Sequence, residues 1–236
     1  MSVNAEVLHQ SEMIGSEPQE TGLPVVGQFR ESNDFNSENF AYEQIRGLVR
    51  RVFFPSGGRP TNHVVFSAVD PSTDVRGVCD LVGQILALET IADIAIVCRN
   101  ARDAETIQVK PCHTGRAAIK SWSTKIGTNL WRVPEEGLCE RSVETGTGRY
   151  WISCLAELRN EFEYAIIQGP PAGISSEAAL LGQLADGIIL VLGAQSTRGA
   201  AARKIKETLE GAQSRILGAV LSERLFPVPE KIYRRL

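Results

Sequence analysis

Three places in the chain, each where an apolar run gives way to polar or turn residues, hold the side chains that decide its chemistry. FSAVDPSTDVRGV (66–78) leaves one such run and enters a helical pattern, CRNAR (98–102) leaves a second, and QGPPAG (168–173) leaves a third. A strand-to-helix junction is where phosphate-binding proteins place a glycine-rich loop. Its glycines let consecutive backbone N–H groups face the phosphates, a lysine neutralises the terminal charge, and a Ser or Thr hydroxyl holds magnesium. Residues 66–76 contain neither glycine nor lysine, while Asp70 and Asp74 add negative charge there. Pro71 removes one N–H donor as well. Read locally, the stretch is a strand-turn-helix connection with Ser72 or Thr73 placed to cap the helix.

Other reactive residues point to little chemistry. The cysteines are Cys79, Cys98, Cys112, Cys139 and Cys154, an odd number without a C-x-x-C pair, which suits reduced thiols in a cytoplasmic protein. Cys112 and His113 are adjacent, but one pair lacks the three or four ligands of a zinc site, so no metal is expected.

The elements that must position these residues follow from periodicity. Residues 1–37 are rich in Glu, Ser, Asn and Gln and are expected to be a disordered tail, with one domain over 38–236. Ala41, Ile45, Leu48, Val49 and Val52 fall on one helical face, and PSGGRP (55–60) breaks that helix. Strands are expected at 63–69, 91–98, 129–133, 164–168, 187–193 and 216–222, with helices at 75–88, 150–161, 175–184 and 197–212. A short helix fits somewhere in 100–123. The near-continuous apolar strands GIILVLG and ILGAVLS suit a parallel sheet covered on both faces. The alternation therefore predicts a doubly wound, mostly parallel, three-layer α/β fold of the Rossmann-like kind, whose ligands bind at the carboxyl ends of the strands.

Composition excludes several classes. A formal charge of −3 gives no broad basic field for nucleic acid. The longest apolar segment, GIILVLGA (187–194), is far short of a membrane span, and the first thirty residues lack a signal-peptide pattern. Arg198, Arg203, Lys204 and Lys206 read as a solvated helix face or a docking surface.

The order and wording of these segments resemble the bacterial tyrosine kinases of capsule and exopolysaccharide synthesis, relatives of the Min and Par P-loop ATPases. The resemblance runs from about Phe40 onward. It rests on FEYAIIQGPP, on LADGIILVLGAQSTRGAA and on the PVPEKIYRRL tail. The family's phosphate loop, roughly S-A-x-P-G-E-G-K-S-T, matches here only at Ser67 and Ala68; Asp74 stands at its lysine and Val75 at its magnesium-binding serine. Its D-A-D-x-R motif appears as Cys98, Arg99, Asn100, Ala101 and Arg102, and its I-I-D-x-P-P as Ile166 through Pro171 with Gln168 at the acid. Cys98, Asn100 and Gln168 thus replace three carboxylates, where magnesium prefers hard charged oxygens. Lysine, hydroxyl and acids are all gone together. The resemblance then implies a P-loop NTPase-like fold whose vestigial nucleotide positions perform no phosphoryl transfer, with neither ATP nor magnesium expected.

What remains is a regulatory or scaffolding subunit. The resemblance implies as partner a membrane-embedded polysaccharide chain-length regulator or an active kinase of the same system, and a place at the inner membrane through that partner. An active kinase or ATPase with unorthodox nucleotide binding, which would need ATP and magnesium, and a Min/Par-like positioning factor are the alternatives. In the family, an E-x-x-R-x-x-R-like signature helps form rings. Here FAYEQIR (40–46) keeps Arg46 but has Glu43 in an arginine's place, and Tyr233 is the only tyrosine where the family often has a cluster, so homo-oligomerisation stays open.

Overall fold

A computed structural model describes residues 37–57, 61–99, 118–138 and 147–222. Seven strands form one sheet. In chain order the elements are α1 (Ser37–Phe53), β1 (His63–Ala68), α2 (Val75–Glu89), β2 (Ile94–Cys98), α3 (Ile119–Trp122), β3 (Thr124–Lys125), β4 (Leu130–Pro134), α4 (Glu135–Leu138), α5 (Thr147–Glu161), β5 (Tyr164–Gln168), α6 (Glu177–Leu184), β6 (Gly187–Gly193), α7 (Gly199–Gly211) and β7 (Ile216–Ser222). Across the sheet the order is β3-β4-β2-β5-β1-β6-β7, all parallel except the β3–β4 pair.

Every residue of β1 and β2 is buried, His63 and Ser67 included, because helices cover both faces of the sheet. On one face α1 and α2 pack through Ile45, Val49, Val82, Ile85 and Leu86 onto Phe66, Ile96 and Ile166. On the other, α5 and α6 supply Trp151, Leu155, Leu158 and Leu181 against Val65, Val97 and Ile167. The expected doubly wound α/β sheet is therefore the observed one.

Differences from the sequence reading lie mainly at the ends of elements. Ala41 is exposed, and the buried face of α1 begins at Ile45, because the first helical turns extend beyond the sheet. β2 begins at Ile94 rather than 91; Ile91 is almost fully exposed and belongs to the turn. β3 and α4 carry too few residues to show a period, so nothing in the sequence announces them. The expectation for residues 1–37 falls, apart from Ser37, outside the described residues.

Side chains replace missing ladder partners where elements begin and end. The Asp186 carboxylate accepts the N–H groups of Asn62 and His63, both at 2.8 Å, and fixes the start of β1. Glu161 at the end of α5 accepts those of Ile119 (2.6 Å) and Lys120 (3.1 Å), which starts α3. α2 and β2 touch closely at Gly83, where a Cβ would lie 2.5 Å from Ile96 Cδ1. This contact holds the helix that follows the 66–74 stretch.

Candidate functional site

β1, β2 and β5 are neighbours, so their carboxyl ends and the three polar stretches converge at one edge of the sheet. The β1 and β5 ends are joined directly. Ser67 is fully buried and its hydroxyl donates to the Pro170 carbonyl at 2.6 Å, Gly169 N–H donates to Phe66 O (2.9 Å), and Ala172 N–H to Ala68 O (2.8 Å). Gly169 is required, because a Cβ there would lie 2.8 Å from Val65 Cγ1.

The loop after β1 closes on itself and on β6. Thr73 N–H bonds to Asp70 O at 3.2 Å, which makes a turn, and Val69 N–H donates to Val191 O at 3.1 Å. The Thr197 hydroxyl donates to Asp70 Oδ2 (2.5 Å) and accepts Gly193 N–H (3.0 Å), so this carboxylate is held by the β6–α7 connection. Asp74 has extended backbone and caps α2: its Oδ1 accepts Gly77 N–H at 3.2 Å. The cap is thus Asp74 and not Ser72 or Thr73, since only Asp74 directly precedes the first helical residue; Thr73 is buried in the turn instead. Val75, the first residue of α2, points into the core.

This arrangement decides what the loop can bind. A helix N-terminus is a ready anion site through its free N–H groups and dipole, and at α2 the chain's own carboxylate takes that place. Opposite unit charges about 4 Å apart gain ~4 kcal/mol at an effective dielectric near 20, and like charges lose as much. An aspartate at this helix N-terminus opposes an incoming phosphate instead of attracting it.

Cys98 and Gln168 are built into the fold. Cys98, the last residue of β2, is buried, and burial pushes its thiol above its ordinary pKa. Beside it Arg132 Nη2 meets Asp80 Oδ1 at 2.9 Å. Gln168 Oε1 accepts the Arg99 N–H at 3.0 Å and ties β5 to β2. Asn100, Ala101 and Arg102 lie outside the described residues, as do Cys112, His113, Cys139, Tyr233 and the Arg234–Arg235 pair. A protonated thiol and an amide oxygen already in use do not make a magnesium site, and with Asp74 at the helix end the residues present do not fit a magnesium nucleotide. Among the described residues, no group of three His, Cys, Asp or Glu side chains could hold a metal.

One cluster escaped the sequence reading. Arg99 Nε lies 3.2 Å from Glu135 Oε2 and its Nη2 lies 3.0 Å from Glu177 Oε2, while Trp151 Nε1 donates to Glu177 Oε1 at 2.7 Å. Arg99 thus fastens the end of β2 to α4 and α6, and Trp151 adds α5. Its partners are 36 and 78 positions away (135 − 99 and 177 − 99), so no local spacing could have signalled it. The basic residues of α7 are exposed, and Lys206 pairs with Glu210 at 3.5 Å, a solvated face. Arg46 is engaged within the chain, its Nε 2.8 Å from Glu89 Oε1.

No family model matches the chain. Over 74 residues it is 34% identical to a protein named tyrosine-protein kinase CpsD from Streptococcus agalactiae serotype III (strain NEM316), a match that covers 31% of this chain and 32% of the relative. The match thus spans about a third of the relative's length. The VpsO kinase domain superposes with a TM-score of 0.60 at 18% identity, covering 80% of this chain and 98% of that one. The kinase domain of Escherichia coli tyrosine kinase ETK gives 0.57 at 15% identity, covering 80% and 79%. The chain is similar in sequence to capsule-type bacterial tyrosine kinases and shares the P-loop NTPase-like fold of their kinase domains. Among the described residues, no helix is long and apolar enough to cross a membrane.

Proposed function

We propose that the protein is a catalytically silent relative of the tyrosine kinases of capsule and exopolysaccharide synthesis, and that it acts by binding a partner. The observation that carries this reading is the self-occupied helix end: Asp74 caps α2 and accepts the Gly77 N–H, a donor of the kind a phosphate would use. The strand ends that would hold metal and nucleophile are cross-linked instead by Ser67, Gln168 and Arg99. Phosphoryl transfer rests almost wholly on positioning and charge stabilisation, and neither is supplied by these groups.

A protein that keeps such a framework without the chemistry contributes a surface. The partner is a membrane-embedded chain-length regulator or an active kinase of the same polysaccharide system, met at the cytoplasmic face of the inner membrane. Isothermal calorimetry with MgATP and MgADP tests the premise. No heat of binding is expected at millimolar nucleotide, whereas a one-site affinity in the micromolar range would overturn the reading and favour an active kinase or ATPase.

A further inference from the structure

Two of the described cysteines stand on facing elements. α2 connects β1 to β2, strands that run parallel in one sheet, so the helix lies antiparallel to β2. The contact of Gly83 with Ile96 fixes how the two are aligned. Four residues back along the helix is one turn, about 6 Å, and two residues forward along the strand is ~6.6 Å on the same face. Because the elements are antiparallel, these two steps lead in the same direction, and they arrive at Cys79 and Cys98. Both side chains belong to the same core cluster, 1% and 4% exposed, and both thiols are free.

A disulfide joins residues whose Cα atoms are no more than about 7 Å apart. Glycine at position 83 removes the side chain that would otherwise hold helix and strand apart; a Cβ there would meet Ile96 Cδ1 at 2.5 Å. The close approach thus falls one helical turn from the cysteine pair. Burial pushes the Cys79 thiol well above its ordinary pKa and a charge on Cys98 raises it further, so the two sulfurs are within electrostatic reach of each other. Cys154, also buried, packs on the opposite face of the sheet and cannot join them.

We propose that Cys79 and Cys98 form a modification site, a thiol pair that a peroxide converts to a disulfide. Cys98 reacts first, because it is the less covered of the two and the charge of Arg132 favours its thiolate. The Cys98 thiolate attacks one peroxide oxygen, the O–O bond breaks, and hydroxide leaves with a sulfenic acid formed on Cys98. The Cys79 sulfur then attacks Cys98 Sγ, the S–O bond breaks, and the departing hydroxide takes the Cys79 proton as water. Each sulfur has given up one electron and the peroxide has taken both. Burial holds the two thiols protonated, so the reduced pair is the resting form and its conversion is slow. The bond fastens the start of α2 to the end of β2, between the Asp74 cap and the Gln168 link.

Hydrogen peroxide added to the full chain, followed by N-ethylmaleimide and mass spectrometry, tests this. No Lys or Arg stands between Gly77 and Cys98, so trypsin releases both cysteines in one peptide, residues 77–99. That peptide should be two hydrogens lighter than its reduced form and take up no maleimide. Cleavage after Glu89 should then give two fragments that stay joined until dithiothreitol is added. In Cys79→Ala the Cys98 sulfenic acid has no thiol to meet and should accumulate, trapped by dimedone; its absence would overturn the assignment of Cys98 as the thiol that reacts first. Sulfenic or sulfinic acid on Cys98 of the unaltered chain, with no link to Cys79, would overturn the proposal. So would free thiols at both positions under peroxide that oxidises them in urea, or a link from either one to Cys112, Cys139 or Cys154.

Discussion

At the scale of single residues, Asp74 serves as the N-cap of α2. Asp74→Ala should destabilise the fold by about 1 kcal/mol, the usual cost of losing an N-cap, and Asp74→Asn should be nearly neutral. Asp74→Lys should cost more than alanine, because it also sets a positive charge at the positive end of the α2 dipole. Urea denaturation of the three variants ranks them. The lysine variant should still bind no MgATP, since Val75, Cys98 and Gln168 are unchanged and catalytic groups act as a unit. His63 supplies a second residue-scale prediction. It is buried, with Nε2 3.4 Å from Phe162 O and Nδ1 without a partner. Burial foremost, then the charge of Arg159, hold its pKa below the ordinary value. The unfolded chain therefore takes up this proton first as pH falls. Stability should be level above the unfolded value of about 6.5 and decline below it, and His63→Gln should remove that part of the decline. Thermal melts from pH 7.5 to 5 decide it; an unchanged acid slope in the variant would assign the slope to other groups.

At the scale of elements, α2 is positioned by a contact rather than by its own propensity. Gly83 admits Ile96 at a distance no side chain would allow. Although alanine is the better helix former by up to about 1 kcal/mol, the overpacking should win and Gly83→Ala should lower stability by ~1–3 kcal/mol. A variant more stable than the parent in denaturant would mean that the helix can move away from β2 at little cost. The Arg99 cluster makes a parallel case. Glu177→Gln leaves Arg99 half-buried with one charge fewer, at a cost of roughly 1–3 kcal/mol. Arg99→Met together with Glu177→Gln should cost less than the sum of the single changes, because the second change no longer strands a charge. Additive costs in the double-mutant cycle would show that the pair is not coupled.

At the scale of the whole molecule, the proposed silent site predicts partner binding without a nucleotide switch. A ligand shifts a conformational equilibrium only by its differential affinity for the two states, and under the proposed reading a nucleotide has none to give. Association with the proposed partner should therefore be equal in the presence and absence of ATP. Co-purification from the native host measures this, and a complex that forms or dissolves with ATP would contradict the silent-site reading. The melting temperature should likewise stay constant under MgATP.

Sequence alone determined the parallel core and the residue types at the strand ends. β1, β5 and β6 are apolar runs, and a buried parallel strand needs little more than that to be legible; ILGAVLS reads the same way, yet β7 is half-buried to exposed, because it stands last in the sheet. That Asp74, Val75, Cys98 and Gln168 stand at or just beyond those ends is a fact of residue type. Tertiary structure decided what those residues do instead. That Asp74 rather than Ser72 or Thr73 caps α2 depends on where the turn from Asp70 ends, which propensity leaves undecided among three neighbouring cap formers. That Arg99 joins Glu135 and Glu177, and that Asp70 is held by Thr197, depends on residues 36, 78 and 127 positions apart meeting at one sheet edge. Local pattern carries period and charge; only the folded sheet brings distant side chains within hydrogen-bonding reach, and that is how the strand ends came to be filled from within.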